Sequence, residues 1–511
     1  MVHNKQRDWK ERENILSSSN NIVVLASAGS GKTTMLVDKL QQELETEKQH
    51  YYYATITFTN KAANEISERV GNSKGNIFCG TIDGFVDNEI VRNYFHAVYP
   101  NYSGFEISYQ SQHQFETFND GLNQMKNYNI LGTYKPSVQK LGKNFKLELA
   151  LTILKNSQAA REYLKYKYRM FFIDEYQDSD KSMHDLFMYL NKELEIRLFV
   201  VGDIKQSIYQ WRGASPKFLE GLSKSNQFEM YKLTENFRSH TDIVEFSRCV
   251  SGEPLKEGYS SDGRINYYHN KESNSEADVI NNLVAADIIN KSQSLLILVG
   301  KNEDIKNIYE DLGAEESNFT IILRTPIEGT PNSLFLESIC RYYYDGNYTE
   351  YNFVNDIYYD YDRQIVKDVK KILDNLCKNL NLEKIEEIYS FCGFPICSYN
   401  SALESELLLK TLKNEKYKSA FVQVKEKRNA IMTTHSAKGL EYDQVIIFTK
   451  YYFDRYTNKI DKESHYVGIT RAKEKLILID DSGEYKKQIN SIVQENDRRY
   501  TFEQFIACVE G

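Results

Sequence analysis

The sequence predicts an α/β protein made of two parallel-sheet domains, each interrupted by a mostly helical insertion. Two observations predict it. Short apolar, β-branched runs recur along the chain with helix-like segments after them, and this rhythm lapses twice, over 99–167 and 345–428. Apolar strands buried on both faces and alternating with helices indicate a parallel sheet, because each crossover lays a helix over one face. At 511 residues the chain also exceeds what one hydrophobic core usually supports.

The elements follow in order. IVVLAS (22–27) is a first strand, with a loop and then a helix from Lys32 onward. YATITF followed by NKAANEISERV repeats the pattern, as does MFFID followed by a segment rich in Leu, Met and Phe, and IRLFVV adds a fourth strand. Between Tyr99 and Lys167 the chain is polar, dotted with aromatics and mostly helical in pattern. SLLILVG (294–300), FTIILR (319–324), AIMTTHSAKGLEYDQVIIF (430–448) and EKLILID (474–480) supply a second set of strands. The expected divisions are a first domain over 1–98 and 168–235 with its insertion at 99–167, and a second over 236–344 and 429–511 with a reduced insertion at 345–428.

Composition excludes several classes. A net charge of −8 argues against a generally basic nucleic-acid coat, although a local groove can bind DNA on an acidic protein. Seven cysteines lie scattered, and the closest pair, Cys392 and Cys397, has no second pair or histidine cluster at zinc-ligand spacing, so they read as reduced thiols. The start, MVHNKQRDWKERENI, is too charged for a secretory core, and no apolar run approaches the ~20 residues that span a bilayer. A soluble, cytoplasmic protein without a membrane partner is expected.

Three stretches carry chemistry. ASAGSGKTT (26–34) joins the first strand to the first helix, where free N–H groups and the helix dipole can hold phosphates. Ala28, Gly29, Ser30 and Gly31 form the loop, Lys32 would reach the β- and γ-phosphates, and Thr33 would ligate Mg²⁺. The first glycine of the general phosphate-loop pattern is replaced by Ala26. FFIDEYQD (171–178) ends another strand in adjacent carboxylates: Asp174 suits the Mg²⁺ position and Glu175 can polarise a water for attack on the γ-phosphate.

VGDIKQSIYQWRGA (201–214) is the third, and it holds one of only two tryptophans. Gln206 follows a strand that can lie beside the one ending in Asp174, which would bring it near the γ-phosphate. Tyr209, Trp211 and Arg212 come three to six residues later, where an indole and a guanidinium can stack on bases of a single strand at ~1–3 kcal/mol per base. On local sequence alone a core role for Trp211 is the commoner outcome.

These motifs, in this order, resemble the UvrD/Rep group of superfamily 1A helicases, and the resemblance covers most of the chain. KQRDW resembles the glutamine motif, with Gln6 reading adenine; TFTNKAANEISERV (57–70) resembles the motif whose Phe58 and Asn60 line the DNA; LTENFRS (233–239), TTHSAKGLEY (433–442) and HYVGITRAKEKL (465–476) complete the set. The resemblance implies two RecA-like domains with reduced accessory subdomains and an ATP- and Mg²⁺-dependent DNA helicase, 3′ to 5′ in direction. It further implies that Arg238 and Arg471 reach the γ-phosphate, that Phe237 stacks on adenine, that Glu441 meets the ribose or phosphates, and that Thr81, Tyr209, Trp211, Arg212 and His435 touch DNA. An arginine supplied across a cleft would couple domain closure to hydrolysis. There are departures: Asp83 stands where many relatives carry histidine, and Thr34, beside the base, where many carry arginine.

Segments outside the motifs, among them GTIDGFVDNEIVRNYF and KNFKLELALTILKNS, resemble the helicase-like subunits of Gabija anti-phage systems. That implies a partner, a GajA-like nuclease of the OLD family, in a hetero-oligomeric complex that senses DNA. Two alternatives share every motif: a stand-alone repair helicase, and an ATPase that senses DNA ends and activates a bound nuclease without unwinding.

Overall fold

The computed structural model describes all residues except 1–7, 47–50, 59, 71–75, 103–105, 108–116, 129, 132–143, 211–212, 272–273, 313–318, 322–324, 328–329, 331, 358–361, 393–398, 423–428, 455, 497, 499 and 510–511. Its strands are β1 (Ile22–Ala26), β2 (Tyr52–Thr57), β3 (Asn76–Thr81), β4 (Glu106–Ile107), β5 (Ile130–Leu131), β6 (Tyr168–Ile173), β7 (Arg197–Gly202), β8 (Glu229–Leu233), β9 (Ile265–His269), β10 (Leu295–Val299), β11 (Phe319–Ile321), β12 (Asn429–Thr433), β13 (Tyr442–Phe448), β14 (Ala472–Asp480) and β15 (Ile506–Val509).

The first sheet has the order β3-β2-β6-β7-β1-β8 and every pairing is parallel. β1, which feeds the phosphate loop, lies beside β7, which feeds the glutamine–tryptophan segment, with Val24 opposite Val201. β6, which ends in the carboxylates, pairs β7 on the other side, with Ile173 opposite Val200. Three chemistry-bearing loops therefore leave neighbouring strands at their carboxyl ends, the edge where open parallel sheets hold ligands. Leu, Val, Ile and Phe cover both faces of this sheet, in two separate buried clusters.

The second sheet is also wholly parallel, with the order β11-β12-β10-β13-β14-β9-β15. It too is buried on both faces. β9 and β15 escape the sequence reading because INYYH and IACV are only five and four residues long and carry no clear apolar run.

The helical segments pack differently from the expected divisions. The helices Phe145–Asn156 and Gln158–Lys167 lie within 99–167, yet Phe145, Leu149, Ile153 and Leu164 share the buried cluster of the first sheet. In the second insertion the core begins at Ile327, and the helix Ser333–Tyr344 packs with it rather than with the sheet, ahead of the expected start at 345. The longest helix here, Arg363–Lys378, buries Val366, Val369, Leu373 and Leu376, whose three- and four-residue spacing forms one stripe. No described helix is long and apolar enough to cross a membrane.

Candidate nucleotide site and DNA face

The phosphate loop turns on two glycines with left-handed backbone, Gly29 at φ 72° and Gly31 at φ 78°, a conformation that costs glycine little. The helix Lys32–Thr46 starts directly after them, so Lys32, Thr33 and Thr34 occupy its first turn. Ala28 and Ser30 are buried, Lys32 and Thr33 half-buried, and Thr34 exposed with Arg69 Nη1 donating to its hydroxyl at 3.5 Å.

Lys32 Nζ lies 3.1 Å from Glu175 Oε1. Glu175 itself has φ 51°, unusual for a residue with a Cβ, and this turn swings its carboxylate off the strand axis toward the loop. Gln177 Nε2 donates to the second oxygen of Glu175, and Gln177 Oε1 accepts from Asp203 N at 3.0 Å. Asp174, the first residue after β6, is buried and accepts from Glu175 N at 2.8 Å. Burial and the neighbouring Glu175 charge push the Asp174 carboxyl well above the usual carboxylate range. Burial also acts to raise Glu175, but Lys32 and Lys438 outweigh it and hold that carboxyl low. The two neighbouring acids are thus driven apart.

Gln206 is buried and donates to Asp203 Oδ2 at 2.8 Å. Asp203 is where the second domain arrives: Tyr466 donates its hydroxyl proton to Asp203 Oδ2 at 3.3 Å and accepts from Ala28 N at 3.3 Å. Lys438 donates to Gln206 O at 2.9 Å, pairs with Asp178, and stands 3.8 Å from Glu175 Oε2. Asp178 Oδ1 is buried without a hydrogen-bond partner among the described residues.

Both arginines lie at the same cleft. Arg238 Nε meets Glu441 Oε2 at 2.6 Å. Arg471 is buried, and it donates to Val467 O at 2.9 Å, Leu440 O at 3.0 Å and Thr470 Oγ1 at 3.0 Å. These bonds use three of its five N–H donors. Burial and the like charge of Arg238 lower it to about 10. Asn236 ties the interdomain connection to the loop by donating to Ala28 O at 2.8 Å, and Phe237 N donates to Gly29 O at 2.9 Å.

Of the residues expected to touch DNA, Tyr209 and His435 come from different domains and bring their rings to 5.7 Å, with Lys438 Nζ 5.1 Å from the Tyr209 ring centre. Phe58 follows β2, and the hydroxyl of Thr81 accepts from Gly84 N at 3.2 Å, capping the short helix Ile82–Val86. Gln6, Trp211 and Arg212 lie outside the described residues, as does the side chain of Asn60.

The oxygen donors of Thr33, Asp174 and Glu175 suit a hard divalent cation such as Mg²⁺. Two cations, Lys32 and Lys438, stand over the same edge and suit a polyphosphate. The residues fit ATP with Mg²⁺. The sequence reading did not single out Arg12, Asn236, Lys438 or Tyr466 as site residues. Each lies within or beside a motif, but its role depends on which domain it touches.

Comparison with known proteins agrees with this geometry. The UvrD/REP helicase N-terminal domain matches residues 8–149 and 146–227, and the UvrD-like helicase C-terminal domain matches 344–482. The Gabija protein GajB of Bacillus cereus (strain VD045) is 38% identical over 489 residues, which cover 95% of this chain and 98% of GajB. The chain belongs to the UvrD-like helicase family, on its GajB branch. The ATP-dependent DNA helicase Rep of Escherichia coli (strain K12) is 27% identical over 53% of this chain and 48% of its own length. PcrA of Staphylococcus epidermidis (strain ATCC 12228 / FDA PCI 1200) is 25% identical over 54% of this chain and 45% of its own length. This UvrD-like helicase thus matches about half the length of Rep and PcrA and nearly all of GajB.

Proposed function

We propose that this UvrD-like helicase is a DNA-stimulated ATPase that translocates 3′ to 5′ along one strand and unwinds DNA. In this reading it is the DNA-sensing subunit of a cytoplasmic Gabija-type anti-phage complex with a GajA-like, OLD-family nuclease. The observation that carries the ATPase reading is the pair of second-domain side chains, Tyr466 and Lys438, that bond to Ala28, Asp203, Asp178 and Gln206 of the first. A ligand in that cleft meets both domains, and its differential affinity for the closed form shifts the equilibrium. The 38% identity to GajB supports the defence role and its partner.

ATP with Mg²⁺, when bound, supplies the phosphoanhydride to be cleaved and the cation that neutralises its charge. Thr33 and Asp174 would hold the metal, and the loop from Ala28 to Thr34 with Lys32 would hold the phosphates. Lys32 then leaves Glu175, which removes the cation that most depresses that carboxyl and frees it to take a proton from the attacking water. Gln206 orients that water, while Arg238 and Arg471 stabilise charge on the transferred group. Glu441 releases Arg238 and meets the ribose or phosphates. Gln6 and Phe237 would contact the base. Phe58, Asn60, Thr81, Tyr209, Trp211, Arg212 and His435 would line the strand.

A second reading is favoured by the match to only about half of Rep's length: an ATPase that senses DNA and activates the bound nuclease without unwinding. ATP hydrolysis with and without single-stranded DNA tests the shared part, and no stimulation in either the isolated subunit or the complex rejects it. A strand-displacement assay on both preparations separates the two readings.

A further inference from the structure

Besides Lys438, a carboxylate of the second domain grips the glutamine segment. Lys205, the residue before Gln206, donates its ammonium to Glu253 Oε1, and the same ammonium lies 5.6 Å from the centre of the Tyr466 ring. Glu253 follows the helix Thr241–Val250, whose Phe246 and Val250 belong to the core of the second sheet, so the pair crosses the cleft.

Glu253 is a fixed post. Arg248 Nε donates to its Oε2 at 3.0 Å, and its own N–H donates to Arg248 O at 3.0 Å. Arg248 is set in turn by the fully buried Glu245, whose Oε1 accepts from Arg248 Nη1 at 3.1 Å and whose Oε2 accepts from Lys256 N at 2.9 Å. Burial acts to raise the Glu253 carboxyl, but Lys205 and Arg248 outweigh it and hold it low, so it stays charged. An ion pair with one end already immobile loses less side-chain entropy on forming than a pair of free chains.

The other end is a turn closed on itself. Ile204–Gln206 is a single helical turn, and Asp203 Oδ1 accepts from Lys205 N at 3.1 Å. Asp203 Oδ2 accepts from Gln206 Nε2 at 2.8 Å and from the Tyr466 hydroxyl at 3.3 Å. A pull on the Lys205 side chain is therefore a pull on the backbone that aims Gln206.

We propose that Glu253 is a positioning residue for hydrolysis: through Lys205 it sets the turn that aims Gln206, and it does so only while the second domain is closed on the first. This rests on the reading of Gln206 as the residue that orients the attacking water. The partners of Lys205 and Glu253 lie in the glutamine turn and in the second domain, so their effect falls on the chemical step rather than on nucleotide affinity. Domain closure and alignment of the water become one event.

The test is single-turnover hydrolysis of Mg²⁺-ATP by the full chain with saturating single-stranded DNA, beside equilibrium binding of Mg²⁺-ATP. Glu253→Gln and Lys205→Met should each slow hydrolysis roughly three- to tenfold and leave the Kd for ATP within about twofold of the parent's. The double variant should be no slower than the slower single one, because Glu253 acts through Lys205. Lys205→Arg, which keeps a cation opposite Glu253, should recover most of the rate. Additive losses, an unchanged rate in both single variants, or a Kd that rises as much as the rate falls would each overturn the proposal. Lys205→Met covers the case in which Glu253→Gln does not fold. Gln206→Ala is the control: if it hydrolyses ATP at the parent's rate, the reading of Gln206 fails instead.

Discussion

Lys438, carried on the turn after β12 of the second sheet, pairs with Asp178, which follows β6 of the first. The pair crosses the interdomain cleft, and the same ammonium also donates to the main chain of Gln206 and lies over the Tyr209 ring. One cation thus touches the end of the carboxylate strand, the glutamine segment and the ring proposed to face DNA.

Removing it should uncouple those parts. Breaking a pair in which Asp178 is buried costs about 3–5 kcal/mol when one partner is left alone. Because the partners lie in different domains, that cost falls on domain closure. Lys438→Met should lower DNA-stimulated turnover at least tenfold and weaken ATP binding less than Lys32→Ala does, and adding Asp178→Asn should restore part of the turnover loss. A double-mutant cycle on DNA-stimulated kcat measures this, and simple additivity would reject the coupling.

The two carboxylate-strand roles separate by mutation. Glu175→Gln should retain nucleotide binding and lose hydrolysis by a factor of about 10²–10⁴, as expected for a general base. Lys32→Ala should lose binding as well, because Lys32 opens the helix that follows the phosphate loop, where its ammonium would meet the phosphates. Parallel nucleotide titration and single-turnover hydrolysis check both.

Tyr209→Ala and Trp211→Ala should each weaken single-strand binding by about 1–3 kcal/mol per lost stacked base. Nucleotide binding without DNA should stay near that of the parent, since Tyr209 faces His435 rather than the phosphate loop. Fluorescence anisotropy with a labelled oligonucleotide is the measurement. Unfolding of Trp211→Ala alone would instead identify that tryptophan as a core anchor.

Acid should destabilise the second domain through His465. This imidazole is fully buried, bonded through Nε2 to the Tyr485 hydroxyl at 2.6 Å, and burial lowers its pKa from 6.5 to about 3. The unfolded chain therefore binds the extra proton first, so stability contributed by the neutral ring is full above about 6.5 and is lost as pH falls toward about 3. His465→Gln should flatten the thermal-melting profile across that window. A profile as steep as the parent's would remove His465 as the cause.

Much of this was legible in the sequence. IVVLAS, MFFID and IRLFVV announce themselves as strands because residues buried on both faces leave uninterrupted apolar runs, and the loops after them carry Lys32, Asp174, Glu175 and Gln206. The short strands β9 and β15 were not legible, since four or five residues carry too little period to read. Nor was the core of the second insertion, whose start at Ile327 depends on which neighbour the helix Ser333–Tyr344 covers.

By itself the sequence determined two parallel sheets, a phosphate loop and a carboxylate strand, because strand burial and loop chemistry are written in contiguous residues. Only the tertiary structure decided that β1, β6 and β7 are neighbours, that Tyr466 and Lys438 close the site from the other domain, and that Arg12 faces Phe237. Those are contacts between residues as many as 438 positions apart. Local pattern carries no information about them, since each depends on how two separately formed units pack.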